Sequence, residues 1–263
     1  MSDELVLRAD HGVVTYLTLN LPARLNALSD AMLAAICARF DEMMDAPSQR
    51  VIVLRGAGKA FCAGHDLNEM RDKRAGPDQG ADALHDLFTR CGAMMQMIPR
   101  LPQPVIAEVH GIATAAGCQL VASCDLAIAA EDCRFGVNGV NIGLFCSTPM
   151  VALSRNVSRK QAFEMLVTGD FITAARARDL GLVNRVVPPA DLTDATTALA
   201  EQIAGKLGVA VRIGKRAFYD QLGLPLDQAY AMTGAAMVEN MRAPDTAEGV
   251  AAFLEKRKPD WRQ

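Results

Sequence analysis

The chain has 263 residues, 51% of them hydrophobic and 22% charged, enough apolar material for one large domain or a domain with an appendage. Lys and Arg total 27 against 30 for Asp and Glu, a net charge of −3, and no basic run is interleaved with aromatics, so nucleic acid has no footprint here. No apolar run reaches membrane-spanning length, and the acidic start MSDELVLRAD enters a strand pattern without a secretory or transit-type segment.

Leu5 to Arg8 and Val13 to Leu19 flank Asp10-His11-Gly12 and predict an opening hairpin. Pro22 turns the chain. Ser29 is placed to cap a helix in which Leu33, Ile36, Cys37, Phe40 and Met44 recur at steps of three and four residues until Pro47. Val51 to Leu54 reads as a buried strand broken by Gly56 and Gly58, and Leu67 and Met70 open a helical spacing just past Ala63-Gly64. The polar stretch RDKRAGPDQGAD, Arg71 to Asp82, is expected to be a mobile loop, a solvated connector or a lid, before a helix from about Ala83 to Met97. Strand Val105 to Val109, a second Ala-Gly turn, a helix near Leu120, strand Leu126 to Ala130 and a segment at Phe135 continue the alternation, which argues an α/β fold. Beyond Pro188-Pro189 the strand signals cease. Residues 1–190 are assigned to the core and 191–263 to a helical region suited to oligomer contacts, its last helix opening on a capping-box pattern, Asp245 and Glu248, after Pro244. Seven cysteines without a CxxC pair are expected as reduced, mostly buried thiols in a cytoplasmic compartment.

Two stretches repeat one pattern. VIVLRGAGKAFCAGHDL and VIAEVHGIATAAGCQL both open with Val-Ile and close with Ala-Gly-x-x-Leu. The first N–H groups of a helix lack internal partners, so a strand, a loop and an Ala-Gly turn into a helix can aim unpaired donors at an oxygen that becomes negative during reaction. One such turn alone reads equally as a plain connector. Two copies suffice to surround one oxygen.

The motifs LPARLNALS (Leu21 to Ser29), KAFCAGHDLNEM (Lys59 to Met70), GIATAAGCQLVASCDLAIA (Gly111 to Ala129), MLVTGDFITAARARDLGLVNRVV (Met165 to Val187) and FLEKRKPDW (Phe253 to Trp261) together resemble the enoyl-CoA hydratase/isomerase, or crotonase, family over nearly the whole chain. The resemblance implies a spiral of ββα repeats, a C-terminal helical trimerisation region, a homotrimer or a hexamer of two trimers, and an acyl-CoA or enoyl-CoA ligand. No separate cofactor or metal is implied, coenzyme A entering as part of the substrate. It assigns the oxyanion hole to the backbone N–H groups of His65 and Ala116. Arg24, Leu25, Ala63, Asp66 and Leu67 are implied to line the coenzyme A site. Lys59, Lys256 and Lys258 match basic positions near the nucleotide phosphates, although each lysine alone reads as a solvated surface charge.

The chain departs from the family where protons must move. Hydratases use two glutamates, and the matching positions here hold Gln119 and Gly139. Glutamine does not titrate in the useful range and glycine has no side chain, so the two-glutamate hydration mechanism is not expected, nor an isomerase mechanism on a single glutamate at 139. The run VNIGLFCSTP, Val140 to Pro149, resembles the divergent enoyl-CoA hydratase domain-containing group. Within it, Cys146 and Ser147 fall beside the expected substrate water, with Cys146 read as a packing thiol because no neighbouring base is visible. The His65 side chain is left open between wall and proton carrier. Three readings stand: an enzyme of the hydratase/isomerase class working through a thioester enolate, a non-catalytic acyl-CoA-binding protein, and a thioester decarboxylase or hydrolase. A carboxylate from Asp66, Asp86, Glu108 or Glu131 at the oxyanion hole would restore acid–base chemistry.

Overall fold

The computed structural model describes residues 4–262. Strands β1 (Val6–His11) and β2 (Val14–Leu19) form the expected antiparallel hairpin. Helix α1 (Asp30–Met44) begins where the Ser29 hydroxyl accepts from the Met32 N–H at 3.1 Å, and it buries Met32, Leu33, Ile36, Phe40 and Met43 on one face. Next come β3 (Val51–Gly56), α2 (Leu67–Arg74), α3 (Ala81–Arg100), β4 (Val105–Val109), β5 (Ile112–Thr114), α4 (Ala116–Ser123), β6 (Leu126–Ala130) and β7 (Arg134–Gly136). The chain continues through α5 (Pro149–Asn156), α6 (Arg159–Thr168), β8 (Ile172–Thr173), α7 (Ala174–Asp179) and β9 (Arg185–Val187). It closes with α8 (Leu192–Ala204), α9 (Gly208–Gln221), α10 (Leu226–Met241) and α11 (Pro244–Leu254).

Six strands form the larger sheet in the order β1-β2-β3-β4-β6-β9, parallel from β2 onward, and β5-β7-β8 form a smaller one. The spiral follows from this alternation. β4 and β6 each add a strand to the large sheet, and the chain then adds β5 and β7, paired in parallel, to the small one. The first turn of the spiral does the same in reduced form, since Cys62, past β3, bridges Ala113 of β5. Side chains of β3 and β4 are buried on both faces, which is why both strands read as continuous apolar runs.

The segment after Ala63-Gly64 is ordered more fully than its polarity suggested. Arg71 to Arg74 complete α2, and a 3-10 turn at Pro77–Gly80 leads directly into α3. Charge holds α2 in place of an apolar face. Asp66 caps its N-terminus, Glu69 accepts the Asp30 N–H at 2.8 Å, and Lys73 reaches the Asp30 carboxylate at 2.5 Å.

The helical C-terminal region also divides differently. α8 packs across β3, β4 and β6, with Leu192, Leu199 and Ala200 in the central core, so the projecting part starts with α9 rather than at residue 191. The capping box at α11 does not form. Ala243 occupies the cap position without a side-chain bond, and Glu248 instead takes the Arg257 guanidinium and the Asp260 N–H.

Candidate active site

β3 and β4 are neighbours in the large sheet, Ile52 opposite Val105 and Arg55 opposite Glu108, so the segments leaving their C-terminal ends emerge side by side. They stay paired beyond the sheet. Phe61 N–H donates to His110 O at 3.1 Å, Cys62 N–H to Ile112 O at 3.2 Å, and Thr114 N–H to Cys62 O at 3.1 Å. The two Ala-Gly turns thereby touch. Gly64 has φ +88, and a Cβ there would lie 3.0 Å from Ala115 Cβ and 3.3 Å from Ala116 N, so only glycine fits both the backbone and the space.

The local bonding leaves two donors unused. Gly64 O accepts from Leu28 N–H at 2.8 Å and Asp66 N–H reaches Leu28 O at 3.4 Å, while the His65 N–H between them finds no acceptor among the described residues. Ala116 opens α4, where the helix offers its N–H no partner, and none is found elsewhere among the described residues. Ala115 before it is held at φ 49 by its N–H bond to Gly136 O at 2.8 Å, a conformation uncommon for alanine that fixes where α4 starts.

A second layer fixes the first turn. Leu25 and Asn26 both lie in the left-handed region. The fully buried Asn26 side chain donates to Ala57 O, Ala60 O and Phe61 O at 2.8–3.2 Å and accepts from Leu21 N–H at 2.9 Å. Ala63 N–H bonds to Leu25 O at 3.0 Å, and Arg24 pairs with Asp66 as that carboxylate caps α2. Asn26 is a supporting position that sequence reasoning passed over. Its only signal was an asparagine following a proline-led turn in LPARLN.

The turns open on a cavity of about 350 Å³. Ala63, His65 and Leu67 border it from the first turn, Ala116 from the second, and Gly139, Cys146 and Ser147 from the segment after β7. Gln119 does not. It is buried in α4, and its Oε1 has no hydrogen-bond partner among the described residues. Arg24, Leu25, Lys59 and Asp66 surround the first turn without bordering the cavity, and Lys256 and Lys258 are exposed on the tail after α11. Walls not anticipated from the sequence are Met70, Phe88, Ile142 and Phe145, with the Thr114 hydroxyl bonded to Asn138 Oδ1 at 2.5 Å.

No carboxylate, lysine, arginine or tyrosine borders the cavity among the described residues. Asp66 is occupied as the α2 cap, and Asp86 is exposed on α3 and paired with Arg90 at 2.7 Å. Glu108 lies against α8, with Thr193 at 3.4 Å, and Glu131 is exposed after β6. Burial raises Cys146, against a weaker opposing bond at Gly139, so it remains a thiol. A Cβ on Gly139 would sit 2.2 Å from Leu144 O and 2.9 Å from Cys146 Sγ, so the cavity wall occupies the volume a side chain would need. Burial also pushes His65 below its ordinary value, more strongly than its bond to Leu28 O raises it.

Fold and site together define a crotonase-type protein, and comparison with known proteins agrees. The sequence pattern of the enoyl-CoA hydratase/isomerase family matches residues 9–263, and the chain belongs to that family. A Danio rerio protein named enoyl-CoA hydratase domain-containing protein 3, mitochondrial, is 43% identical over 260 residues, covering 99% of this chain and 88% of its own length. A crystal structure of a Mycobacterium smegmatis enoyl-CoA hydratase superposes with a TM-score of 0.94 at 55% identity, covering 98% of this chain and 99% of that one. That of human enoyl-CoA hydratase domain-containing protein 3 gives 0.92 at 43%, covering 98% and 100%. The expected cytoplasmic location is overturned by the relatives, since the Danio rerio, Xenopus laevis and human proteins are all named mitochondrial. Reduced buried thiols mark a reducing environment and do not select among such compartments.

Proposed function

We propose that the chain binds an acyl-CoA or enoyl-CoA thioester in this cavity and stabilises its enolate with the backbone N–H groups of His65 and Ala116, within the lyase or isomerase chemistry of the family. The observation that carries the reading is the pair of donors with no acceptor among the described residues, on turns that touch beside an apolar cavity. Donors of this kind, fixed before the charge develops, contribute about 10²–10³ in rate each. The coenzyme A moiety is assigned to Arg24, Leu25, Ala63, Asp66 and Leu67, with Lys59 and the tail lysines Lys256 and Lys258 toward its phosphates, the tail from a neighbouring subunit. The assembly is proposed as a homotrimer or a hexamer. Leu222, Leu226, Tyr230, Met237, Met241 and Phe253 of the α9–α11 region support this, being too exposed and too apolar for a solvated face.

Hydration by two carboxylates has no support here: Gln119 and Gly139 occupy the positions that the resemblance assigns to glutamates, and no carboxylate among the described residues borders the cavity. The same lack of carboxylates favours a second reading, acyl-CoA binding without turnover. Decarboxylation of a dicarboxylyl thioester is less well supported, because no lysine or arginine among the described residues borders the cavity to hold the second carboxylate.

Calorimetry with hexanoyl-CoA and assays with crotonyl-CoA and longer enoyl-CoAs test these readings together. Binding is expected, and Gly64→Ala, which drives a methyl against Ala116 N, is expected to weaken it more than tenfold while the fold persists. Failure of the wild type to bind any thioester would refute the proposal. Binding without turnover of any thioester would select the non-catalytic reading.

A further inference from the structure

We propose that Asn138, together with Thr114, is a specificity-determining pair that selects an acyl thioester carrying a hydroxyl on one of its first carbons. The inference rests on the thioester reading above and goes beyond it, since that reading sets no requirement on the acyl group.

The pair is built on the small sheet. β5 and β7 run parallel with Thr114 opposite Gly136, and the Ala115 N–H bond to Gly136 O at 2.8 Å carries the pairing past the end of β5. Asn138 follows two residues after Gly136, at the start of a 3-10 turn, Asn138–Ile142. The Thr114 hydroxyl thereby meets its amide and donates to Oδ1 at 2.5 Å. Both residues border the cavity.

That bond leaves a defined set of polar functions. A threonine hydroxyl has one proton, here given to Oδ1, so its lone pairs remain to accept. Asn138 is half-buried, and its Nδ2 has no acceptor among the described residues while keeping accessible surface. Asn141, the other amide bordering the cavity, gives its Nδ2 to Gly169 O at 3.1 Å. His65 Nε2 is sealed from solvent.

The surrounding walls, Ala115, Ala116, Ile142, Leu144 and Phe145, are apolar. An acyl chain filling this space displaces solvent from Asn138 Nδ2, and its N–H groups stay unpaired unless the ligand brings an oxygen. An oxygen that accepts from Nδ2 and sends its own proton to Thr114 Oγ1 is a hydroxyl; a carbonyl serves only the first partner. Thr114 lies two residues before Ala116, whose N–H is assigned to the thioester oxygen, so the pair meets the acyl group within its first carbons.

Calorimetry on the full chain tests this by comparing hexanoyl-CoA with 2-hydroxyhexanoyl-CoA and 3-hydroxyhexanoyl-CoA, each in both configurations. At least one hydroxylated thioester should bind about tenfold more tightly than hexanoyl-CoA. Asn138→Ala, which removes the amide, should bring that ratio close to one. A merely structural role would weaken every thioester alike and leave the ratio unmoved. Should Asn138→Ala fail to fold, Thr114→Val, which removes the hydroxyl with little change of shape, takes its place and should lower the same ratio. A wild type that prefers no hydroxylated thioester, or a variant that keeps the wild-type ratio, would overturn the proposal. If neither variant folds, the wild-type ratio decides. A wild type that binds no thioester at all refutes the thioester reading and this inference with it, whereas equal binding of all of them refutes this inference alone.

Discussion

Asn26 shapes the first turn without touching the cavity. Its amide joins the 21–26 turn to the 57–61 loop through carbonyls that no other side chain satisfies in the same way. Asn26→Ala strands these buried groups and should cost about 2–3 kcal/mol in urea unfolding, with acyl-CoA affinity falling alongside. Gly139 carries the opposite lesson. Restoring a carboxylate by Gly139→Glu is expected to yield a destabilised protein without hydratase activity, because the new Cβ meets Leu144 O at 2.2 Å. A soluble Gly139→Glu variant of wild-type melting temperature that hydrates crotonyl-CoA would show that the wall yields. Burial of His65 adds a pH effect on stability. Its folded value is lowered, so the unfolded chain binds the proton first and stability is lost as pH falls below 6.5 through the lower folded value. His65→Gln should flatten that part of the curve in thermal melts.

Two elements sit where they do because of charge. α2 has no buried residue, and it is tied to α1 through Asp30, whose carboxylate also receives Arg90 of α3 at 2.7 Å. Burial raises the Asp30 carboxyl, but the Lys73 and Arg90 bonds outweigh it and leave it below its ordinary value, so this tie is present above that value and lost as pH falls. These groups are partly open to solvent, which screens the pairs. Asp30→Ala should therefore cost at most about 1 kcal/mol globally, while hydrogen exchange in α2 accelerates. α9 is fixed by a buried pair instead: Lys215 Nζ bonds Asp125 Oδ2 at 2.7 Å and the carbonyls of Ile98 and Gln103 at 2.8 Å, and Tyr219 OH reaches Asp125 Oδ1 at 2.7 Å. Asp125→Ala leaves the Lys215 charge buried without its counter-ion and should lower unfolding free energy by about 3–5 kcal/mol, read from the urea midpoint.

At the scale of the molecule, the parallel spiral brings β3 and β4 together and with them the two turns, and α9 to α11 carry exposed apolar side chains. Leu226→Glu with Met237→Glu is expected to shift sedimentation toward smaller species if copies of the chain meet there. The strands, α1 and the Ala-Gly repeat were legible in the sequence because each depends on contacts within a few residues: alternation, three-and-four spacing, a cap and a small-residue turn. The α/β class followed from the same local signals, and family membership from motif order along the chain. Ordering of residues 71–80, the inclusion of α8 in the core and the loss of the α11 capping box were not legible, since each depends on partners such as Asp30, the sheet face or Arg257. The sequence by itself determined the two turns and the absence of glutamates at 119 and 139. Only the tertiary structure decided that the turns touch, that Gln119 is not among the residues bordering the cavity, and that the wall occupies the space beside Gly139, because contact between segments is set by how the sheet aligns its strands and not by the segments themselves.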